Sequence, residues 1–308
     1  ELVMLYTLPF LLLFLFRGFQ FSKGKVFQTG LIAVPLIIGM HSLFSVHLLS
    51  PKNFGVFREL GQNVNQSEKI LGRENMEFAS NFNDISYINY YFEKDVPESI
   101  KDWSDPEVVY QLADRAKASE KPYFAYNWSN NFHIPMYYEV IRRHYPFVYL
   151  HHEYFNSASS IFSRKEMQQQ GLQKRKLQIA FQNTFPEATV SSEEFIDGIR
   201  IPAKALKKQH PRDAYILAEA DGILETDTPC YFVATLERDG QMSMNGEFPL
   251  LYAAYDQSRL VQKGKTSKFF CAFSIPENIT DKDIIHIYLW NPEKQKVELK
   301  KPQIFKVS

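Results

Sequence analysis

Apolar residues crowd into two early runs and then settle into shorter periodic segments. Leu2 to Phe16 (LVMLYTLPFLLLFLF) carries no charge before Arg17, and Leu31 to Leu49 (LIAVPLIIGMHSLFSVHLL) has His41 and His47 as its only ionisable groups. About 20 apolar residues span a bilayer, so the pattern predicts two transmembrane helices forming a hairpin over 1–50. The loop between the runs holds Arg17, Lys23 and Lys25 and no acid. The positive-inside rule then puts that loop in the cytoplasm and everything after Leu49 across the membrane. A signal peptide fits less well, because the basic flank before the run and the small-residue cleavage site after it are missing. Glu1 is not a methionine, and the first run reads as the tail of a longer span. His41 and His47, six residues apart, share a helical face poorly and read as incidental.

Over 51–180 helical and extended patterns alternate. Ser104-Asp105-Pro106-Glu107 is a capping box with proline in the first turn, predicting a helix through Ala118. Tyr123–Trp128 (YFAYNW) and Phe147–Leu150 (FVYL) read as buried strands, Met136–His144 as a helix between them, and Ile85–Phe92 as a further strand. This order predicts a small α/β domain with parallel strands. After the polar bridge Gln173-Lys174-Arg175-Lys176 the period changes to two. Ile199–Pro202, Ala214–Ala220, Tyr231–Leu236, Lys268–Ile275 and Ile284–Trp290 read as strands, with turns at Asp239-Gly240 and Asn278–Lys282. Residues 181–308 are therefore predicted to be a β-sandwich, jelly-roll-like. The predicted fold class is two transmembrane helices, an α/β domain, then a β-sandwich.

Composition changes this picture little. The 308 residues hold 35 Lys plus Arg and 35 Asp plus Glu, and this balance argues against a nucleic-acid partner. The 26 Phe and 17 Tyr against 13 Gly point to large side chains packed in layers. Cys230 and Cys271, the only cysteines, both fall on predicted strands. A disulfide between them is permitted outside the cytoplasm, and two small buried thiols are the alternative.

Candidate chemistry is sparse. His133, His144, His151, His152 and Glu153 lack metal-site spacing, and adjacent His151 and His152 would point to opposite faces of a strand; no metal is predicted. The segment Tyr126-Asn127-Trp128-Ser129-Asn130-Asn131, followed by Tyr137 and Tyr138, ends a predicted strand where open α/β sheets present binding loops. Aromatic faces beside amides suit sugar rings, so Asn127, Trp128, Asn131 and Tyr137 form the candidate substrate-binding set. The alternative is that the rings are core and the asparagines form a turn. Trp290 could stack on a saccharide, but the alternation of Ile285, Ile287 and Leu289 favours inward packing. A hydrolase would need a nucleophile or carboxylate pair; no GxSxG occurs, and Glu193-Glu194 reads as solvated charge.

The stretch KPYFAYNWSNNFHIPMYYEVIRRHYPFVYLHHEYFNSASSIFSR (Lys121 to Arg164) resembles the extracytoplasmic domain after the last membrane helices of bacterial GT-C glycosyltransferases, the dolichyl-phosphate-mannose protein mannosyltransferase-like enzymes. DIIHIYLWNPEKQKVELKKPQIFKV (Asp283 to Val307) is similar to a jelly-roll module appended to some Bacteroidetes members. The resemblance implies transfer of a sugar from a polyprenyl-phosphate carrier to a glycan acceptor outside the cytoplasm, at the bacterial inner membrane, without a cofactor. Its acidic catalytic loop lies between early membrane helices and has no counterpart in this sequence, so no catalytic residue is assigned. The competing expectation is a membrane-anchored envelope protein that binds glycan or protein.

Overall fold

The computed structural model describes residues 57–81, 106–129, 134–154, 157–165, 173–174, 177–181, 188–207, 215–276 and 278–307. The membrane hairpin expected at 1–50, the strand expected at 85–92, and Asn131 and His133 lie outside them. Among the described residues no helix is long and apolar enough to cross a membrane. The longest, α1 (Phe57–Leu71, FRELGQNVNQSEKIL), interleaves charged and amide side chains with its apolar ones. The fold class is corrected accordingly: the described chain is mostly β-structure, and transmembrane helices are not part of it.

The first sheet contains β1 (Met76–Asn81), β2 (Tyr123–Trp128), β3 (Phe147–Glu153), β4 (Ala158–Ser163) and β5 (Gln173–Lys174), in the order β1-β2-β4-β3-β5. Only the β1–β2 pair in it is parallel; the β2–β4, β3–β4 and β3–β5 pairs are antiparallel, which corrects the expected parallel layer. The physical reason is connection length. The turn between β3 and β4 is too short to carry the crossover that a parallel pair requires. Strand alternation divides the side chains. Phe124, Tyr126 and Trp128 pack with α2 (Glu107–Ala118) and α3 (Pro135–Arg142), while Ala125 and Ile161 pack with Val64 of α1 on the other face.

A β-sandwich follows. Its inner sheet runs β15 (Ser267–Phe273), β9 (Tyr215–Leu224), β17 (Val297–Val307), β6 (Leu177–Phe181), with β7 (Ala188–Ser191) also on β17. Its outer sheet runs β11 (Gln241–Met242), β10 (Tyr231–Arg238), β16 (Asp283–Trp290), β8 (Phe195–Pro202), with β14 (Tyr252–Asp256) also on β10, while β12 (Met244–Asn245) and β13 (Phe248–Pro249) pair with each other. Ile216, Ala218 and Ala220 of β9 point between the sheets, and Tyr215 and Leu217 point into the core shared with α2 and α3. β9 and β15 of the inner sheet are thus covered on both faces and read as mostly apolar sequence. The outer sheet turns alternate side chains of β10 and β16 toward the core and toward its other face. Aromatic residues supply much of the shared core: Phe124, Tyr126, Tyr137, Tyr145 and Phe270 are each at most 2% exposed.

Cys230 and Cys271 are free, buried thiols, so the permitted disulfide is not formed. Cys271 lies on β15 of the inner sheet and Cys230 just precedes β10 of the outer one. Burial, with Asp256 adding to it, pushes the Cys230 thiol up to about 12, and burial raises that of Cys271. Both behave as small hydrophobes.

Asp283 anchors the start of β16. Its fully buried carboxylate accepts from Arg238 Nε at 2.7 Å and Nη2 at 3.0 Å and from Thr280 Oγ1 at 3.0 Å. The Arg238 bond, ahead of those from Thr280, holds its pKa down at about 2, against 3.8 ordinarily. A depressed carboxylate contributes stability above its unfolded pKa and loses it as pH falls through the folded one. The urea midpoint should therefore fall between pH 3.8 and about 2, more steeply in the wild type than in Asp283→Asn. Parallel curves would contradict this role.

Candidate functional site

The three described members of the sequence-derived set do not form an open site. Asn127, Trp128 and Tyr137 are 1%, 5% and 1% exposed. Alternation places Trp128 in the core with α2 and α3 and turns Asn127 to the opposite face, beside Ser80 and Ser159 on the neighbouring strands. Trp128 Nε1 donates to Tyr138 Oη at 3.1 Å, which meets Ser160 Oγ at 3.0 Å. Tyr137 packs edge-on to Tyr126 at 6.2 Å. These rings have no free face for a sugar. His151 is engaged by Ser160 Oγ at 2.9 Å.

A different group of aromatics gathers on the solvent side of the outer sheet. Ile285, Ile287 and Leu289 of β16 point inward, so Ile284, His286, Tyr288 and Trp290 point outward. Register places Trp290 between Tyr231 on β10 and Phe195 on β8. Thr235, opposite His286, faces Tyr252 on β14. Inward packing of Trp290 is therefore overturned: it is half-buried and stacks on Tyr231, with centroids 5.0 Å apart and planes 26° apart. Its Nε1 is buried without a hydrogen-bond partner. Phe195 and Tyr252, at opposite margins of the sheet, are 57% and 49% exposed. Tyr288 bridges the group, 6.3 Å from Phe195 and 4.7 Å from His286.

Polar groups lie among the rings. His286 Nδ1 meets Glu237 Oε1 and its Nε2 meets Asp197 Oδ1, each at 2.7 Å. Arg200 donates to Glu237 Oε2 at 2.8 Å. The two carboxylates lie on opposite edges of one imidazole, a geometry that clamps β8 to β10 across β16 rather than gathering ligands about one ion. Burial, with Tyr252 adding to it, raises the phenols of Tyr231 and Tyr288. Both stay protonated donors at neutral pH.

This face combines ring surface with carboxylate acceptors and guanidinium and phenol donors. It was missed from sequence because its members come from four strands, with Phe195 and Trp290 some 95 positions apart. The alternation of β16 did carry a signal, since it assigns Trp290 to the face opposite Leu289. No family model and no curated protein matches the chain. Among solved structures, an arabinose-bound α-L-arabinofuranosidase is similar over 43% of this chain and 22% of that one, at 10% identity and a TM-score of 0.23. A likeness at that level bears on neither fold nor activity.

Proposed function

We infer that the protein binds glycans, and that the outer face of β8, β16, β10 and β14 is its binding surface. The observation that carries this reading is the five aromatic residues Phe195, Tyr231, Tyr252, Tyr288 and Trp290 on one solvent-facing side of a sheet, interleaved with Asp197, Glu237 and Arg200. A sugar ring presents C–H faces that pack on aromatic surface and hydroxyls that bond carboxylates and guanidinium. Apolar partners would desolvate those charged groups without offering them hydrogen bonds. The reading concerns binding by these residues. It requires no membrane span.

The test is affinity electrophoresis of the full chain through gels containing a β-glucan, a xylan, a mannan or a galactan. At least one polymer should retard the wild type. Phe195→Ala combined with Tyr252→Ala should weaken that retardation at least about tenfold, the equivalent of ~1.4 kcal/mol. Both side chains are about half exposed, so the double variant should keep its unfolding midpoint. A wild type indifferent to every polymer, or a double variant that binds equally well, overturns the reading.

A further inference from the structure

A cavity of about 130 Å³ opens between the two sandwich sheets near β8. Two bulges frame it. On β8, Asp197 and Gly198 together oppose the single residue Tyr288 of β16. On β17, residues 301–302 together oppose the single residue Ala220 of β9. Each bulge inserts one residue and bends its strand. Bulges in facing sheets at one level hold the layers apart where flat strands would close on each other. Gly198 makes its side of this arrangement achievable, because a Cβ there would lie 2.2 Å from the Ile287 carbonyl oxygen.

The interior is apolar, walled by Ile196 and Ile199, by Ala218 and Ala220, and by Phe232 and Leu289. Asp197, Thr189 and Gln303, all three exposed, also line it, as do Tyr288 and Glu219, whose carboxylate is engaged by Arg143. His286 and Arg200 both approach Asp197 through Oδ1, leaving Oδ2 to accept from a ligand. A comparable engineered cavity of ~150 Å³ lined by Leu, Ile and Phe stays dry and binds benzene.

We propose that this cavity is a binding site for a small amphiphile, with a benzene-sized apolar group between the sheets and a hydroxyl or ammonium head at Asp197. The volume sets the size of the apolar group. The exposed carboxylate at the rim sets the sign of the head, since an anionic head would meet it as a like charge. Asp197 and Tyr288 also border the aromatic face, but the apolar group lodges between the sheets, and the benzyl probes test that interior with no glycan present.

The probes are benzylamine, benzyl alcohol and benzoate, added to the full chain and followed by calorimetric titration and thermal unfolding. Benzylamine and benzyl alcohol should bind and raise Tm by about 3–6 °C at saturation, with benzoate at least about tenfold weaker. Ala218→Val adds bulk inside the cavity; it should raise the ligand-free Tm and abolish the shift. Asp197→Asn leaves the interior intact and should remove the preference for benzylamine over benzoate. The proposal fails if no probe shifts Tm, if Ala218→Val lowers the ligand-free Tm or retains full binding, or if Asp197→Asn leaves the order of the probes unchanged.

Discussion

Arg143→Ala should lower the unfolding free energy by roughly 3–5 kcal/mol, the range for removing one partner of a buried ion pair. Arg143 sits at the end of α3, where the helices meet the inner sheet. Its guanidinium contacts Glu139 Oε1 at 3.4 Å and Glu219 Oε1 at 2.5 Å, and lies 3.5 Å from the Phe270 ring centroid. Glu139 is fully buried and Glu219 is 8% exposed. Tyr215 Oη donates to Glu139 Oε2 at 3.2 Å, a neutral phenol that cannot replace the charge of the arginine. Arg143→Lys should recover part of the loss, because an ammonium restores the charge but not the flat guanidinium over Phe270. Urea unfolding decides the matter. A loss below about 1 kcal/mol, the value typical of exposed pairs, would mean that this network does not join the helical layer to the sandwich.

Gly198→Ala should cost about 3 kcal/mol, the upper end of the range for overpacking, because the clash is with backbone. The added Cβ would fall 2.2 Å from Ile287 O and 3.1 Å from its carbonyl carbon. Those are ladder atoms of the neighbouring strand, with no flexible end to swing aside. Relief requires β8 to move away from β16, which breaks the pairing of Ile199 with Ile287 and of Ile196 with Leu289. Amide exchange should then speed up along β8 while β9 and β15 stay protected. A Gly198→Ala protein with wild-type stability would show that the bulge is looser than its geometry indicates.

Much of the sandwich was legible because one period governs it. Segments such as Tyr231–Leu236 and Ile284–Trp290 fall within observed strands, and Asp239-Gly240 turns with φ of 52° and 77°. The helix ending at Ala118 was also legible, although it begins at Glu107 with no side-chain cap hydrogen bond, and Ser104 lies outside the described residues. β1 was not. MEFASN finishes in polar residues that are buried rather than solvated, and hydropathy alone cannot register that. β4, ASSIFS, was hidden for the same reason, since its serines are nearly inaccessible. The aromatic cluster at Asn127–Tyr137 looked like a loop-end site because YNW precedes a polar turn, yet period two separates Asn127 from Trp128. The outer-sheet face depends on cross-strand register between distant segments, and no local pattern contains that information. The cavity depends on two bulges facing each other, which is further still from the one-dimensional signal.

Glycan binding by the outer sheet is the central claim, and amide hydrogen exchange of the full chain, with and without an oligosaccharide of the retarding polymer, tests it most directly. Protection should rise in β8, β10, β14 and β16 and stay unchanged in β9, β15 and β17. Protection confined to the inner sheet or the helical layer, or none anywhere at saturating oligosaccharide, would contradict the claim.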